Sequence, residues 1–136
     1  MYSLDIAQLV RSALQESGCE KSLTEQLDSH STIALDLHDL PSIHISQQDD
    51  GEVWLWSRLG EQSAVLIEQR ATELLQALMQ GCHFTRSGQL QLDIQDGELV
   101  LKAQIHPDYL SDGRQFAEAL NCFFDQLDHF FGSLLR

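Results

Sequence analysis

The sequence predicts an α+β domain in which helices cover a largely antiparallel sheet, in the order α-βββ-α-ββ-α. Three observations carry this. The apolar period switches between 3.6 and 2 four times along the chain. An Asp96-Gly97 pair stands between two alternating runs, the strongest short hairpin signal. The third observation is size: 136 residues with 43% hydrophobic content provide one core and leave no room for a second, so residues 1–136 read as a single domain.

The first helix is read over Leu4 to Ser17, where Ile6, Leu9, Val10, Ala13 and Leu14 share an arc and Gln8, Arg11 and Gln15 fall mostly outside it. Ser3 is placed as its N-cap, Asp5 suits the positive dipole end, and Gly18 is placed to stop it. Ser22 to Glu25 has capping-box spacing and predicts a short helical turn. From Ser31 to His38, Ile33, Leu35 and Leu37 alternate with polar or small residues, which predicts a half-buried strand that Pro41 ends. Ile43 and Ile45 begin a second strand. Asp49-Asp50-Gly51 turns the chain into a third, Glu52 to Leu59.

That third strand is apolar on both faces, with Val53 and Leu55 on one and Trp54 and Trp56 on the other. One face therefore meets something besides the main core: a helix of the same chain, a second subunit or a bound peptide.

Ser63 is placed to cap a second helix running to Met79, with Ala64, Ile67, Ala71, Leu74, Leu75 and Leu78 as its packing stripe and Gly81 as its end. Val65 and Leu66 lie off that stripe. Leu90, Leu92 and Ile94, then Leu99, Leu101, Ala103 and Ile105, form the hairpin, and Pro107 terminates it because it lacks an amide hydrogen. The last helix starts at Asp112, with Gln115 at capping-box distance. Phe116, Leu120, Phe123, Phe124, Leu127, Phe131 and Leu134 are its packing face, each buried ring contributing about 2 to 3 kcal/mol.

Composition excludes several functions. The formal charge is −13, and the 8 basic residues are scattered singly, so neither a phosphate backbone nor an anionic membrane surface is a fitting partner. Basic or polar extended partners suit this acidity better. Charged residues interrupt the N-terminal segment as they would not in a signal peptide, which predicts a cytosolic protein. Cys19, Cys82 and Cys122 are an odd number at wide spacing, fitting reduced thiols. The six histidines form no H-x-x-x-H pair and no C-x-x-C is present, so no metal or other cofactor is expected. Cys82 and His83 are strand-type neighbours that point apart. Asp28, His30 and Ser31 lack a nucleophile elbow, Asp108 and Asp112 read as a strand end and a helix start, and no phosphate-cradling glycine motif occurs. The residues alone thus describe an acidic binding module rather than an enzyme.

Segments in order along the whole chain carry a family resemblance. They are Asp5-Ile6-Ala7-Gln8-Leu9-Val10-Arg11-Ser12-Ala13-Leu14, Ser17-Gly18-Cys19, Asp28-Ser29-His30-Ser31-Thr32-Ile33, Leu40-Pro41-Ser42-Ile43, Val53-Trp54-Leu55-Trp56, Gly81-Cys82-His83-Phe84 and His106-Pro107-Asp108-Tyr109-Leu110-Ser111-Asp112-Gly113. With these the chain resembles the class IB chaperones of the type III secretion system, of the invasion protein B (InvB/SpaK) type. The resemblance implies a non-enzymatic cytosolic homodimer that holds the extended N-terminal chaperone-binding segment of several secreted effectors, keeps them soluble and helps pass them to the export apparatus and its ATPase.

It also places the dimer contact on the second helix and the following hairpin, giving Leu66, Arg70, Leu74, Leu90, Leu92, Leu99 and Leu101 a role between subunits. A fitting mechanism is β-augmentation, in which an extended segment adds to a strand edge. The candidate groove is built from the first helix and three strands, drawn from Ile6, Val10, Leu35, Leu37, Ile43, Ile45, Trp54 and Trp56, some of which serve as plain core. The alternative is a regulatory adaptor in which the same apolar surface meets a folded partner.

Overall fold

The computed structural model describes residues 6–17, 32–37 and 39–135. The elements are α1 (Ile6–Ser17), β1 (Ile33–Leu35), β2 (Ile43–Gln47), β3 (Val53–Gly60), α2 (Ala64–Met79), β4 (Gln91–Gln95), β5 (Glu98–Gln104) and α3 (Gly113–His129). This is the expected element order. The expectations on Ser3, Asp5, Gly18, Cys19, Ser22 to Glu25, and the Asp28, His30 and Ser31 group lie outside the described residues.

All five strands join one antiparallel sheet in the order β1-β2-β3-β5-β4. The first three form a meander, and the hairpin docks through β5, which pairs along β3 and leaves β4 at an edge. β1 is shorter than alternation predicts. It ends at Leu35, after which Ser42 donates to the Asp36 carboxylate, and Asp39 adopts φ +66° at the turn before Pro41. The β4–β5 turn follows its sequence signal, because Asp96 (φ +52°) and Gly97 (φ +81°) both take the left-handed conformation that a two-residue type I′ hairpin requires.

Alternation decides which face meets the helices. Ile33, Leu35, Ile43, Ile45, Val53, Leu55, Leu59, Leu99, Leu101 and Ala103 are buried in one cluster with Ile6, Val10 and Ala13 of α1 and Phe116, Leu120, Phe123 and Leu127 of α3. The two helices cross closely at Ser12 and Gly113, where a Cβ on the glycine would lie 2.4 Å from Ser12 Cβ. Asp112 caps α3 as its spacing predicts, its carboxylate accepting from the Gln115 N–H at 2.9 Å.

Past His129 the helix loosens into a π turn over Phe130–Leu134, closed by the Leu135 N–H to the Phe130 carbonyl. The turn delays the phase by one residue, so Leu135 is buried where a 3.6 period gives Leu134 that place. Phe130 also joins the core, whereas Phe124, expected on the packing face, is 40% exposed.

α2 departs most from expectation. Ser63 caps it, accepting from the Leu66 N–H at 3.0 Å. Yet only Leu74 and Ala77 are buried, while Ala64, Ala71 and Leu75 of the expected stripe are exposed. The reason is tertiary: α1 and α3 already cover the sheet, and α2 touches the π turn at the end of α3 along a narrow strip.

Candidate binding surfaces

Among the described residues, two surfaces are left over once the core is filled. The first is the sheet face opposite the helices. There His44 and Ser46 of β2, Trp54, Trp56 and Arg58 of β3, and Val100, Lys102 and Gln104 of β5 stand in register, with His44 beside Trp56, Ser46 beside Trp54, and Trp56 beside Lys102. Trp56 is stacked on His44, ring centroids 4.1 Å apart and planes 16° from parallel, and its Nε1–H donates to Ser46 Oγ at 2.9 Å. Arg58 lies 5.5 Å from the Trp56 ring and Lys102 lies 5.6 Å from the Trp54 ring, both within cation–π range. Burial, and secondarily the positive charge of Arg58, lower the His44 pKa against the opposing pull of Asp36.

Beside the tryptophans is a hollow of about 560 Å³, lined by Ser46, Gln48, Asp50, Glu52, Trp54, Trp56, Gln95, Val100 and Lys102. Its walls offer aromatic faces together with amide, hydroxyl and carboxylate groups, an assortment suited to a peptide more than to a purely apolar ligand. Glu52 anchors one side: it accepts from Arg86 at 3.1 Å and from the Gln104 amide.

The second is an exposed apolar stripe on α2, with a further exposed isoleucine on β4. Val65 (61%), Leu75 (58%) and Met79 (65%) on α2 and Ile94 (61%) on β4 are the most exposed large aliphatic side chains among the described residues. Isolated exposed apolar residues are ordinary, but three on one helix that buries only two side chains leave that stripe of the helix without a packing partner among the described residues.

The candidate groove residues therefore separate. Trp54 and Trp56 reach the outer face and Leu37 is partly exposed at the end of β1, but Ile6, Val10, Leu35, Ile43 and Ile45 are sealed in the core. Their alternation partners Val53 and Leu55 share that face, so these five form the floor under any surface site and are not a surface themselves. The candidate dimer residues separate likewise. Leu74, Leu90, Leu99 and Leu101 are buried within this chain, whereas Leu66, Arg70 and Leu92 are partly exposed. Sequence reasoning missed Leu75, Met79 and Ile94, because period alone does not say which stripe of a helix is covered. Val65 lies off the expected stripe.

Elsewhere the chemistry is subdued. His83 points toward Cys122, 3.9 Å away, and toward Glu118, 3.5 Å away, a contact that adjacency with Cys82 did not suggest. Burial pushes the Cys82 thiol up to about 11 and also raises that of Cys122, so both are protonated thiols near neutrality, not nucleophilic thiolates. His106 accepts from the Asp108 N–H and caps the 3-10 turn at Pro107–Leu110. Among the described residues, no group of three or more His, Cys, Asp or Glu side chains is placed to hold a metal ion, and no helix is long and apolar enough to cross a membrane.

Residues 18–96 match the Invasion protein B family. Over its full 136 residues the chain is 58% identical to the Surface presentation of antigens protein SpaK of Salmonella typhimurium, covering all of that protein, and equally to its counterpart in Salmonella typhi. The chain belongs to the Invasion protein B family. The family's fold reaches further than its sequence. The complex of ExoU with SpcU from the type III secretion system of Pseudomonas aeruginosa contains a chain with TM-score 0.57 at 24% identity, each chain covered to 93%. The Yersinia pestis type III secretion chaperone SycH, solved with a stable fragment of YscM2, gives TM-score 0.58 at 18% identity over 89% of this chain and 95% of that one. This Invasion protein B family member therefore has the type III secretion chaperone fold.

Proposed function

We propose that this protein is a cytosolic type III secretion chaperone, without enzymatic activity, that binds the extended N-terminal segments of several effector proteins, keeps them soluble and presents them to the export apparatus and its ATPase. The tryptophan face is the observation that carries the reading. Two large rings and an adjoining hollow with peptide-like hydrogen-bonding groups remain on the sheet face that no helix among the described residues covers. One stretch of an extended segment adds main-chain hydrogen bonds along the β1 side of the sheet beside Leu37, and another stretch of it lies across Trp56 and Trp54. A homodimer formed through α2 and the hairpin, with Leu66, Arg70 and Leu92 among its contacts, covers the exposed Val65, Leu75, Met79 and Ile94. Kinship with SpaK and the chaperone fold of the solved relatives support this reading.

Co-expression with effector N-terminal segments tests it. A soluble complex should co-purify, and light scattering of the free protein should give twice the 15.4 kDa chain mass. A monomer that leaves every such segment in the insoluble fraction would contradict both halves.

A further inference from the structure

The hollow on the outer sheet face has two unlike ends. Glu52, Trp54, Trp56 and Arg58 follow one another on that face, with Ser46 opposite Trp54 and Val100 opposite Arg58. The β4–β5 hairpin turn therefore lies at the Arg58 end, and the β2–β3 turn, which supplies Gln48, Asp50 and Glu52 to the lining, lies at the other. Leu92 and Ile94, the hairpin residues assigned above to the subunit contact, pair with Leu101 and Leu99 and share their helix side of the sheet. That contact and the β2–β3 end of the hollow thus lie on opposite faces.

The β2–β3 turn is fixed and acidic. The Gln48 N–H donates to the Glu52 carbonyl at 2.7 Å and the Gly51 N–H to the Gln48 carbonyl at 2.9 Å. Oδ1 of Asp50 accepts from the Glu52 N–H at 3.0 Å, while its other oxygen takes no bond among the described residues. Arg86 offsets the charge of Glu52, but Asp49 and Asp50 have no cation beside them among the described residues, which leaves this end negative. The hollow reaches the Trp54 ring past Ser46, the small residue opposite it. Lys102, the cation over Trp54, is tied to Asp93 at 3.1 Å on the hairpin side. An aromatic face next to an anchored carboxylate with an unused oxygen suits a planar cation, which stacks on the one and donates to the other.

We propose that the β2–β3 end of this hollow seats an arginine side chain of the effector segment, its guanidinium stacked on Trp54 and paired with Asp50. That the arginine arrives on an effector rests on the function proposed above, but the seat is read in the free protein with a small probe. In proton–nitrogen correlation spectra at low ionic strength, N-acetylarginine amide should move the Trp54 indole N–H signal with a dissociation constant at least about threefold lower than that of N-acetylcitrulline amide, which has nearly the same shape without the charge. Added salt should narrow the gap. Asp50→Asn, which keeps the carbonyl acceptor for the Glu52 N–H and so the turn, should bring the two constants together. Equal constants in the unmodified chain, an indole signal that neither probe moves, or an Asp50→Asn variant that still prefers arginine overturns the proposal.

The two readings fail separately. If no effector segment co-purifies while the arginine amide keeps its preference, the proposed function falls and the seat stands. A segment that binds across the tryptophans of a protein that does not distinguish the two amides overturns the seat alone.

Discussion

Trp56 is the most determined side chain on the outer face, held by the His44 stack, the Ser46 hydrogen bond and the Arg58 cation. A ring fixed in this way costs little entropy when a partner packs on it, the property that makes tryptophan a frequent hot spot. Trp56→Ala is expected to weaken effector binding by about 2 kcal/mol, roughly thirtyfold, in a calorimetric titration, with the far-UV spectrum unchanged. His44 gives the same face a pH dependence. Burial and Arg58 disfavour its charged form, so its folded pKa lies below the ordinary 6.5. The unfolded chain therefore takes up the proton first as pH falls, and stability contributed by neutral His44 is full above pH 6.5 and declines below it. Denaturation midpoints measured at pH 7.5 and 5.5 should fall less in His44→Asn than in the unmodified protein.

At the scale of elements, the close crossing of α1 and α3 depends on a missing side chain. Gly113→Ala would drive a methyl into the Ser12 backbone and side chain, and the overpacking should cost about 1 to 3 kcal/mol in a denaturant titration. The exposed stripe of α2 makes a different prediction. Leu75→Lys leaves the single chain's core untouched, since Leu75 is exposed, and is expected to raise the dimer dissociation constant at least about tenfold in sedimentation equilibrium.

Local chemistry was legible in the sequence. Ser63 and Asp112 cap the helices that their spacing announces, and Asp96-Gly97 turns the hairpin because few other pairs tolerate two positive φ angles. What depended on distant neighbours was not. Alternation grouped Ile43, Ile45 and Leu35 on one face without saying that helices would seal it. The period of α2 likewise did not say that α1 and α3 had already taken the sheet. The π turn that exchanges Leu134 for Leu135 breaks the period itself. Trp54 and Trp56 were the readable part of the candidate site, because a second apolar face on one strand is unusual whatever surrounds it.

For the whole molecule, one hydrophobic cluster accounts for the sheet's inner face, α1 and α3, and it leaves the tryptophan face and the α2 stripe as separate surfaces. Two uncovered surfaces on an acidic chain of this size fit a molecule that pairs with itself on one and holds a foreign segment on the other, with the net charge of −13 keeping it soluble in between. The most direct test is hydrogen exchange by nuclear magnetic resonance on the complex with an effector N-terminal segment. The account predicts that the segment, unprotected when free, gains strand-like amide protection when bound, and that the Trp54 and Trp56 indole signals shift. A segment that is already folded when free and unchanged on binding, with both indole signals unmoved, would contradict it.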